Sequence, residues 1–209
     1  MTHARGILLE GLSNAGKTST LNAIKKIQAA DEDSERSVFI LGEHYSQQLQ
    51  NIQGEIVSLS RDEHLNLLND RAEGIEKLND WATHLGPASR RSRGLFFVLE
   101  RFHLNHRFAY GVSPEIEGIE KRLSAIGGCC FLLTISEKSI RERLLYRNEI
   151  HLNEIEQACD EWLADQERLM NVSRQSNIPT TVINTDNQEW ELYASQIIQK
   201  LDIKPLFQE

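Results

Sequence analysis

The stretch that decides the fold is ILLEGLSNAGKTSTL, residues 7–21. It starts as an apolar run, passes through a loop bounded by glycines, and continues into a segment with apolar residues at helical spacing. Gly11, Gly16, Lys17 and Thr18 fill the pattern G-x-x-x-x-G-K-[ST]. A strand, loop and helix in this order point backbone N–H groups and the positive end of the helix dipole at one place. The stretch therefore predicts a loop that holds a polyphosphate.

Each residue type in this loop has an expected role. Glycine lets the backbone curl close to an anion, Lys17 is expected to reach the β and γ phosphates, and the Thr18 hydroxyl to ligate Mg²⁺. The cofactors predicted are thus ATP and Mg²⁺. A plain glycine turn between strand and helix is the alternative. The predicted ATP-binding residues are Gly11, Ser13, Asn14, Ala15, Gly16, Lys17, Thr18 and Ser19.

Apolar segments alternate with helical patterns along the whole chain. Five of them read as strands: GILL, SVFILGE, GLFFVLE, CCFLLTIS and IPTTVIN. Parallel strands need crossover connections, which are usually helices, so we expect an α/β fold with a five-stranded parallel sheet covered on both faces. A helical region is expected after the second strand. All 209 residues are expected to form a single domain, with a lid at about residues 139–151.

The charge balance excludes several classes of partner. A formal net charge of −8 and a pI of about 5.4 argue against binding to polymeric nucleic acid or to an anionic membrane surface. The three cysteines have no metal-ligand spacing, and no apolar run approaches the ~20 residues of a membrane span. We therefore expect a cytoplasmic protein.

An arginine-bearing segment follows the fourth predicted strand. In RERLLYRNE, Arg143 and Arg147 are four residues apart and so share one helical face. Guanidinium groups suit phosphate oxygens, and phosphoryl transfer needs cations that hold the charge developing in the transition state. The segment is expected to close over the reaction. A solvated basic helix balanced by nearby glutamates is the alternative.

Two glutamates end predicted strands. Glu100 follows LFFVL and Glu43 follows the second strand, at the edge where ligands of such sheets gather. A carboxylate at Glu100 can organise Mg²⁺ through water or accept a proton from a hydroxyl acceptor. A strand-end glutamate paired with an arginine is the other reading. His44-Tyr45 can line an acceptor pocket, although a strand-to-helix junction explains this pair equally well.

These residues together resemble the thymidylate kinase and deoxynucleoside kinase group of P-loop phosphotransferases. The resemblance lies in Glu10-Gly11, Glu100-Arg101, the two lid arginines, and the segments LLNDRAEGIEKL and ERFHLNHRFAYG. Their order and spacing cover nearly the whole chain. The resemblance implies a P-loop kinase fold and an ATP-dependent phosphotransferase.

The resemblance also implies residue roles. Arg71 would approach the acceptor nucleotide, Glu43 would match the base carboxylate of deoxynucleoside kinases, and Arg101 and Arg107 match that group's two arginines. His106 and Phe102 replace an aspartate and a serine of its pattern. The predicted catalytic residues are Lys17, Glu43, Glu100, Arg101, Arg143 and Arg147. The predicted substrate-binding residues are Glu43, Tyr45, Arg71, Arg101, Arg107 and Tyr110, and the metal residues are Thr18 and Glu100.

The nature of the acceptor stays open at this point. A monophosphate is already an oxyanion and needs arginines, here Arg71 and Arg101, whereas a 5′-hydroxyl benefits from a base such as Glu43 or Glu100. A nucleoside monophosphate is slightly favoured over a nucleoside. A different small-molecule alcohol is a third candidate acceptor. An ATP-binding regulatory module without transfer is the candidate that is not an enzyme.

The long helical pattern after residue 64 bears on assembly. Its stripe Leu65, Leu68, Ile75 and Leu78 can face the chain's own sheet or a second copy. Helices of this kind form dimers in the resembling family, so a homodimer is expected by analogy.

Overall fold

The computed structural model describes residues 4–30, 37–42, 50–52, 55–57, 59–85, 95–146 and 154–201. The strands are β1 (Ala4–Glu10), β2 (Ser37–Leu41), β3 (Gln50–Ile52), β4 (Glu55–Val57), β5 (Leu95–Glu100), β6 (Gly128–Thr134) and β7 (Thr180–Asn184). The helices are α1 (Lys17–Ala30), α2 (Arg61–Leu85), α3 (His103–Tyr110), α4 (Pro114–Ala125), α5 (Glu137–Tyr146), α6 (Ile155–Ser173) and α7 (Trp190–Lys200). None of the helices in these ranges combines the length and apolar character of a membrane span.

Five strands form one parallel sheet in the order β2-β5-β1-β6-β7. β1 lies at the centre, with β5 and β6 as its neighbours, and nearly all of its side chains are buried. A continuous apolar run is what a parallel strand covered on both faces requires. The predicted fold class is confirmed.

Side chains of the central strand alternate between two apolar layers. Ile7 and Leu9 join a cluster with Ile24 of α1 and Ile197 of α7, whereas Leu8 joins a second cluster with Leu68 of α2. This follows from the two-residue period of a strand. All four members of the Leu65, Leu68, Ile75 and Leu78 stripe pack in the second cluster, so the stripe faces the chain's own sheet.

The region after the second strand differs from the prediction. The sequence pattern predicts a helical region there, but β3 and β4 pair as a two-stranded antiparallel ribbon separate from the main sheet. Ile52, Ile56 and Val57 are β-branched and favour strands, which outweighs the weak helical pattern.

Two helix starts depend on glutamate side chains. At α2, the Ser60 N–H donates to the Glu63 carboxylate at 2.8 Å, and the Glu63 N–H donates to the Ser60 hydroxyl oxygen at 3.4 Å. At α3, the buried Glu10 carboxylate accepts the N–H groups of Phe102 and Leu104, each at 3.0 Å. Because α3 follows β5, and β5 lies beside β1, Glu10 at the end of β1 reaches the start of α3 and links it to the central strand.

A buried histidine pair joins α2 to α3. Nδ1 of His106 lies 3.1 Å from Nδ1 of His64, and both side chains are buried. The Tyr110 ring packs on both imidazoles. Burial, followed by the charges of His64, Arg61 and Arg107, lowers the pKa of His106 from 6.5 to about 4.

We expect this pair to make folding pH-dependent. Between pH 6.5 and 4 the unfolded chain binds a proton at position 106 that the folded chain does not, so stability falls as the pH falls through this window. The expected loss of unfolding free energy from pH 7 to 5 is about 2 kcal/mol, measured by urea denaturation. His106→Gln should remove this contribution to the pH dependence of the unfolding free energy. An unchanged pH dependence in the variant would show that it does not come from His106.

Candidate active site

The loop between β1 and α1 needs glycine at two positions. Gly11 and Gly16 have φ angles of 141° and 91°, in a region that side chains rarely adopt. A Cβ on Gly16 would lie 2.3 Å from the Trp190 ring, and one on Gly11 would lie 2.7 Å from the Leu133 carbonyl oxygen. The glycines therefore allow both the backbone shape and the close approach of neighbouring groups.

Lys17 is buried inside the curl of this loop. Its Nζ donates to the Leu12 carbonyl at 2.8 Å, and the Ala15 N–H donates to the same oxygen at 3.3 Å. An ammonium and a backbone N–H thus converge on one acceptor. An ammonium and a backbone N–H are the kinds of donor that bind phosphate oxygens in glycine-rich loops.

Thr18 and Glu100 meet because β1 and β5 are adjacent and parallel. The Thr18 hydroxyl donates to Oε1 of Glu100 at 3.3 Å, and Glu100 is buried at the carboxyl end of β5. A hydroxyl beside a carboxylate suits Mg²⁺, which takes few protein ligands and completes its shell with water and phosphates. The described residues contain no group of three or more potential metal-binding side chains. The pair fits a Mg²⁺ ion held jointly with a nucleotide.

Arg101, which directly follows Glu100, also contacts the loop. Its φ of 53° is unusual for a residue with a side chain, and its Nη2 donates to the Ser13 hydroxyl at 2.9 Å. A small cavity of about 100 Å³ adjoins it, and Glu10, Asn105 and Phe108 also line this space. Strained backbone of this kind often occurs at functional sites.

Arg143 of α5 contacts the loop directly. It donates to the Asn14 carbonyl at 2.9 Å, to the Thr185 hydroxyl at 3.2 Å and to the Thr185 carbonyl, and its guanidinium carbon lies 5.7 Å from the Trp190 ring centroid. Burial lowers the pKa of Arg143, while Asp186 and Tyr193 raise it by charge. Its hydrogen-bond partners in the described part of the chain are neutral oxygens. A cation beside the loop is therefore available to an anionic ligand.

These groups face one cleft of about 660 Å³. Residues of the phosphate loop line this cleft together with Arg101, Arg143, Tyr146 and Trp190. The volume lies in the range of small-molecule sites. The cleft can accommodate a nucleoside triphosphate with its phosphates at the loop.

The structure does not bring Arg107 to this cleft. Its Nε and Nη2 donate to the two carboxylate oxygens of Glu120 at 2.5 Å and 2.7 Å, and both side chains are fully buried. The Asn177 N–H donates to the same carboxylate at 3.0 Å. The expectation that Arg107 contacts the acceptor is corrected, because this arginine serves a buried ion pair.

Two other predicted substrate-binding residues, Arg71 and Tyr110, do not line the cleft. Arg71 lies in the middle of α2, and the Tyr110 hydroxyl at the end of α3 donates to the Leu59 carbonyl at 2.5 Å. Neither lines the 660 Å³ cleft or the 100 Å³ cavity. Glu43, Tyr45 and Arg147 lie outside the described residues.

Several residues of the site belong to no recognisable sequence motif. Trp162, Thr185, Gln188 and Trp190 contact the loop or line the cleft. The tryptophans read as helix-core residues in the sequence. Thr185 and Gln188 do follow a predicted strand at its carboxyl end, which is the one signal that points to them.

No protein-family model and no curated protein sequence matches the chain. Solved structures do. The YorR protein of Bacillus subtilis in complex with phosphorylated GDP has a TM-score of 0.63 at 13% identity, covering 98% of this chain and 99% of that one. Thymidylate kinase from Ehrlichia chaffeensis has 0.51 at 13% (94% and 98% covered), and shikimate kinase from Bacteroides thetaiotaomicron has 0.53 at 13% (95% and 98%). The chain therefore has the P-loop kinase fold.

Proposed function

We propose that this protein is an ATP-dependent phosphotransferase that acts on a nucleoside monophosphate. The observation that carries the proposal is the loop itself, in which Lys17 and a backbone N–H converge on one acceptor position beside the Thr18–Glu100 pair. Solved structures with the same fold include kinases of nucleotides and of small alcohols. Their low identity supports the fold only.

The described residues suggest a division of roles. Lys17 binds the β and γ phosphates, and Thr18 with Glu100 would hold Mg²⁺, which neutralises charge on the phosphates when bound. Arg101 and Arg143 both contact the loop and line the cleft, so two cations lie beside the proposed phosphate position. Such an arrangement stabilises negative charge that develops during transfer.

Arg101 supports an anionic acceptor. Its guanidinium contacts the phosphate loop through Ser13 and borders the 100 Å³ cavity, and this supports a role for Arg101 in holding the phosphate of an acceptor. Arg71 and Tyr110 remain proposed acceptor contacts. A nucleoside or another small-molecule alcohol remains the second candidate, because Glu43 or Glu100 can serve as the base that a hydroxyl acceptor needs. An ATP-binding regulatory module is the alternative without transfer.

The lid and the homodimer are also proposals. α5 supplies the part of the lid segment that the structure describes, and its Arg143 already contacts the phosphate loop. Since the Leu68 and Ile75 stripe packs inside the monomer, a dimer would have to use another surface. Analytical ultracentrifugation measures this state directly.

An ADP-release assay across three acceptor classes tests the function. Purified protein with Mg²⁺ and ATP is given nucleoside monophosphates, nucleosides and small alcohols in turn. We expect the highest turnover with a monophosphate. Higher turnover with a nucleoside or a small alcohol would show that this class, and not a monophosphate, is the acceptor. ATP binding without any stimulated turnover would favour the regulatory module.

We expect Glu100→Gln to raise the Mg²⁺ concentration needed for half-maximal activity. The carboxylate accepts the Thr18 hydroxyl, and loss of groups around a metal typically costs about ten- to a hundredfold in metal affinity. Titration of activity with Mg²⁺ at fixed ATP measures the effect. The exposed Glu167→Gln on α6 is the matched control. Identical Mg²⁺ curves for both variants would remove Glu100 from the metal site.

A further inference from the structure

Three consecutive carbonyls of the phosphate loop are held by side chains from three other elements. Nε1–H of Trp162 on α6 donates to the Ser13 carbonyl at 3.0 Å. Arg143 on α5 donates to the Asn14 carbonyl at 2.9 Å. The hydroxyl of Thr185, which follows β7, donates to the Ala15 carbonyl at 2.9 Å.

Holding these carbonyls fixes the direction of the N–H groups. In a trans peptide, the C=O of one residue and the N–H of the next point in opposite directions. The N–H groups of Asn14, Ala15 and Gly16 therefore point away from the three donors. The Ala15 N–H does so in the structure, since it donates to the Leu12 carbonyl that Lys17 also contacts. The Ala15 N–H thus lies on the Lys17 side of the loop, where the proposed phosphates would bind.

The loop needs such support because its backbone is strained. Asn14 has a φ of 68°, a conformation that costs free energy in a residue with a side chain and persists only where neighbours enforce it. Thr185 is fully buried and also contacts the Thr134 carbonyl at 3.2 Å, at the end of β6. Trp162 packs against the apolar cluster between α5 and α6. Thr185 is therefore held at the carboxyl ends of β6 and β7, and Trp162 is held by apolar contacts from α5 and α6.

We infer that Trp162 and Thr185 are positioning residues that hold the phosphate loop in its anion-binding conformation. The inference rests on the proposed function, in that the loop must bind a triphosphate. Both residues lie outside the loop motif. The Trp162 N–H and the Thr185 hydroxyl donate to loop carbonyls from the side opposite the one where the anion would bind. Loss of either donor should weaken polyphosphate binding to the same extent whether or not a nucleobase is attached.

The test uses variants that remove one donor with a small change of the side chain. Trp162→Phe removes the indole N–H, and Thr185→Val removes the hydroxyl, whereas Thr185→Ser retains it. Calorimetry with Mg²⁺–ATP and with Mg²⁺–tripolyphosphate should show about tenfold weaker binding for Trp162→Phe and Thr185→Val with both ligands. Thr185→Ser should stay close to wild type. In the kinetic assay, the KM for ATP should rise more than kcat falls.

Trp81→Phe is the matched control, because Trp81 on α2 is 58% exposed. Wild-type protein that binds neither ligand would overturn the proposed function. If the wild type binds while Trp162→Phe and Thr185→Val bind equally well, the inference is overturned and the proposed function stands. Weak binding by Thr185→Ser, or weakening with ATP alone, would also overturn it. Should Thr185→Val fail to fold in a thermal melt, Trp162→Phe decides the outcome.

Discussion

Replacing Lys17 with methionine is expected to lower kcat/KM for phosphoryl transfer about a thousandfold. The ammonium lies within the curl of the loop, where it and the Ala15 N–H share one acceptor. Arg101 and Arg143 contact other loop groups, the Ser13 hydroxyl and the Asn14 carbonyl, and so make different contacts from Lys17. Methionine fills a similar volume, so the loss should be in rate and not in folding. Steady-state kinetics with a thermal melt of the same sample measures both.

Lys25→Met on the exposed face of α1 is the control for the lysine substitution. It removes the same charge from the same helix without touching the loop. Activity of Lys17→Met within a few-fold of that control would contradict the proposed placement of the transferred phosphate. Retained ATP binding with abolished transfer would agree with it.

The centre of the site could be predicted because its geometry is local. The loop from Gly11 to Thr18 lies between one strand and one helix, so its residue spacing fixes its shape. Glu100 was also predictable, since the carboxyl ends of parallel strands meet at one edge of a sheet. Its contact with Thr18 follows from the pairing of β1 with β5.

Residues whose partners lie far away in sequence could not be assigned in this way. Arg107 fits the expected arginine pattern, yet its partner Glu120 lies on the next helix and faces inward. Trp162 and Ser13 are separated by 149 positions, and nothing in the spacing of either residue reveals their contact. A pattern fixes which residues share a face of one element, but packing decides which faces meet. The proposed acceptor contacts Arg71 and Tyr110 depend on such packing and therefore stay predictions.

Arg107→Met is expected to lower the free energy of unfolding by about 3–5 kcal/mol, because it leaves the buried Glu120 carboxylate without its cation. Burial acts to raise the pKa of Glu120, but the Arg107 hydrogen bond, the charge of His103 and the Asn177 N–H lower it overall. Loss of the guanidinium should therefore raise that pKa. A carboxyl group with a depressed folded-state pKa adds stability above its unfolded pKa, so the variant's deficit should be largest at neutral pH and shrink in acid.

Arg122→Met provides the comparison that isolates burial. Arg122 makes a similar two-pronged contact with Glu76, but these side chains are 33% and 32% exposed, so its loss should cost no more than about 1 kcal/mol. Urea denaturation of both variants at neutral pH measures the difference. The double substitution Arg107→Met with Glu120→Leu should recover part of the loss, since no buried charge is then left unpaired. Equal costs for Arg107→Met and Arg122→Met would show that burial gives the Arg107–Glu120 pair no special role in stability.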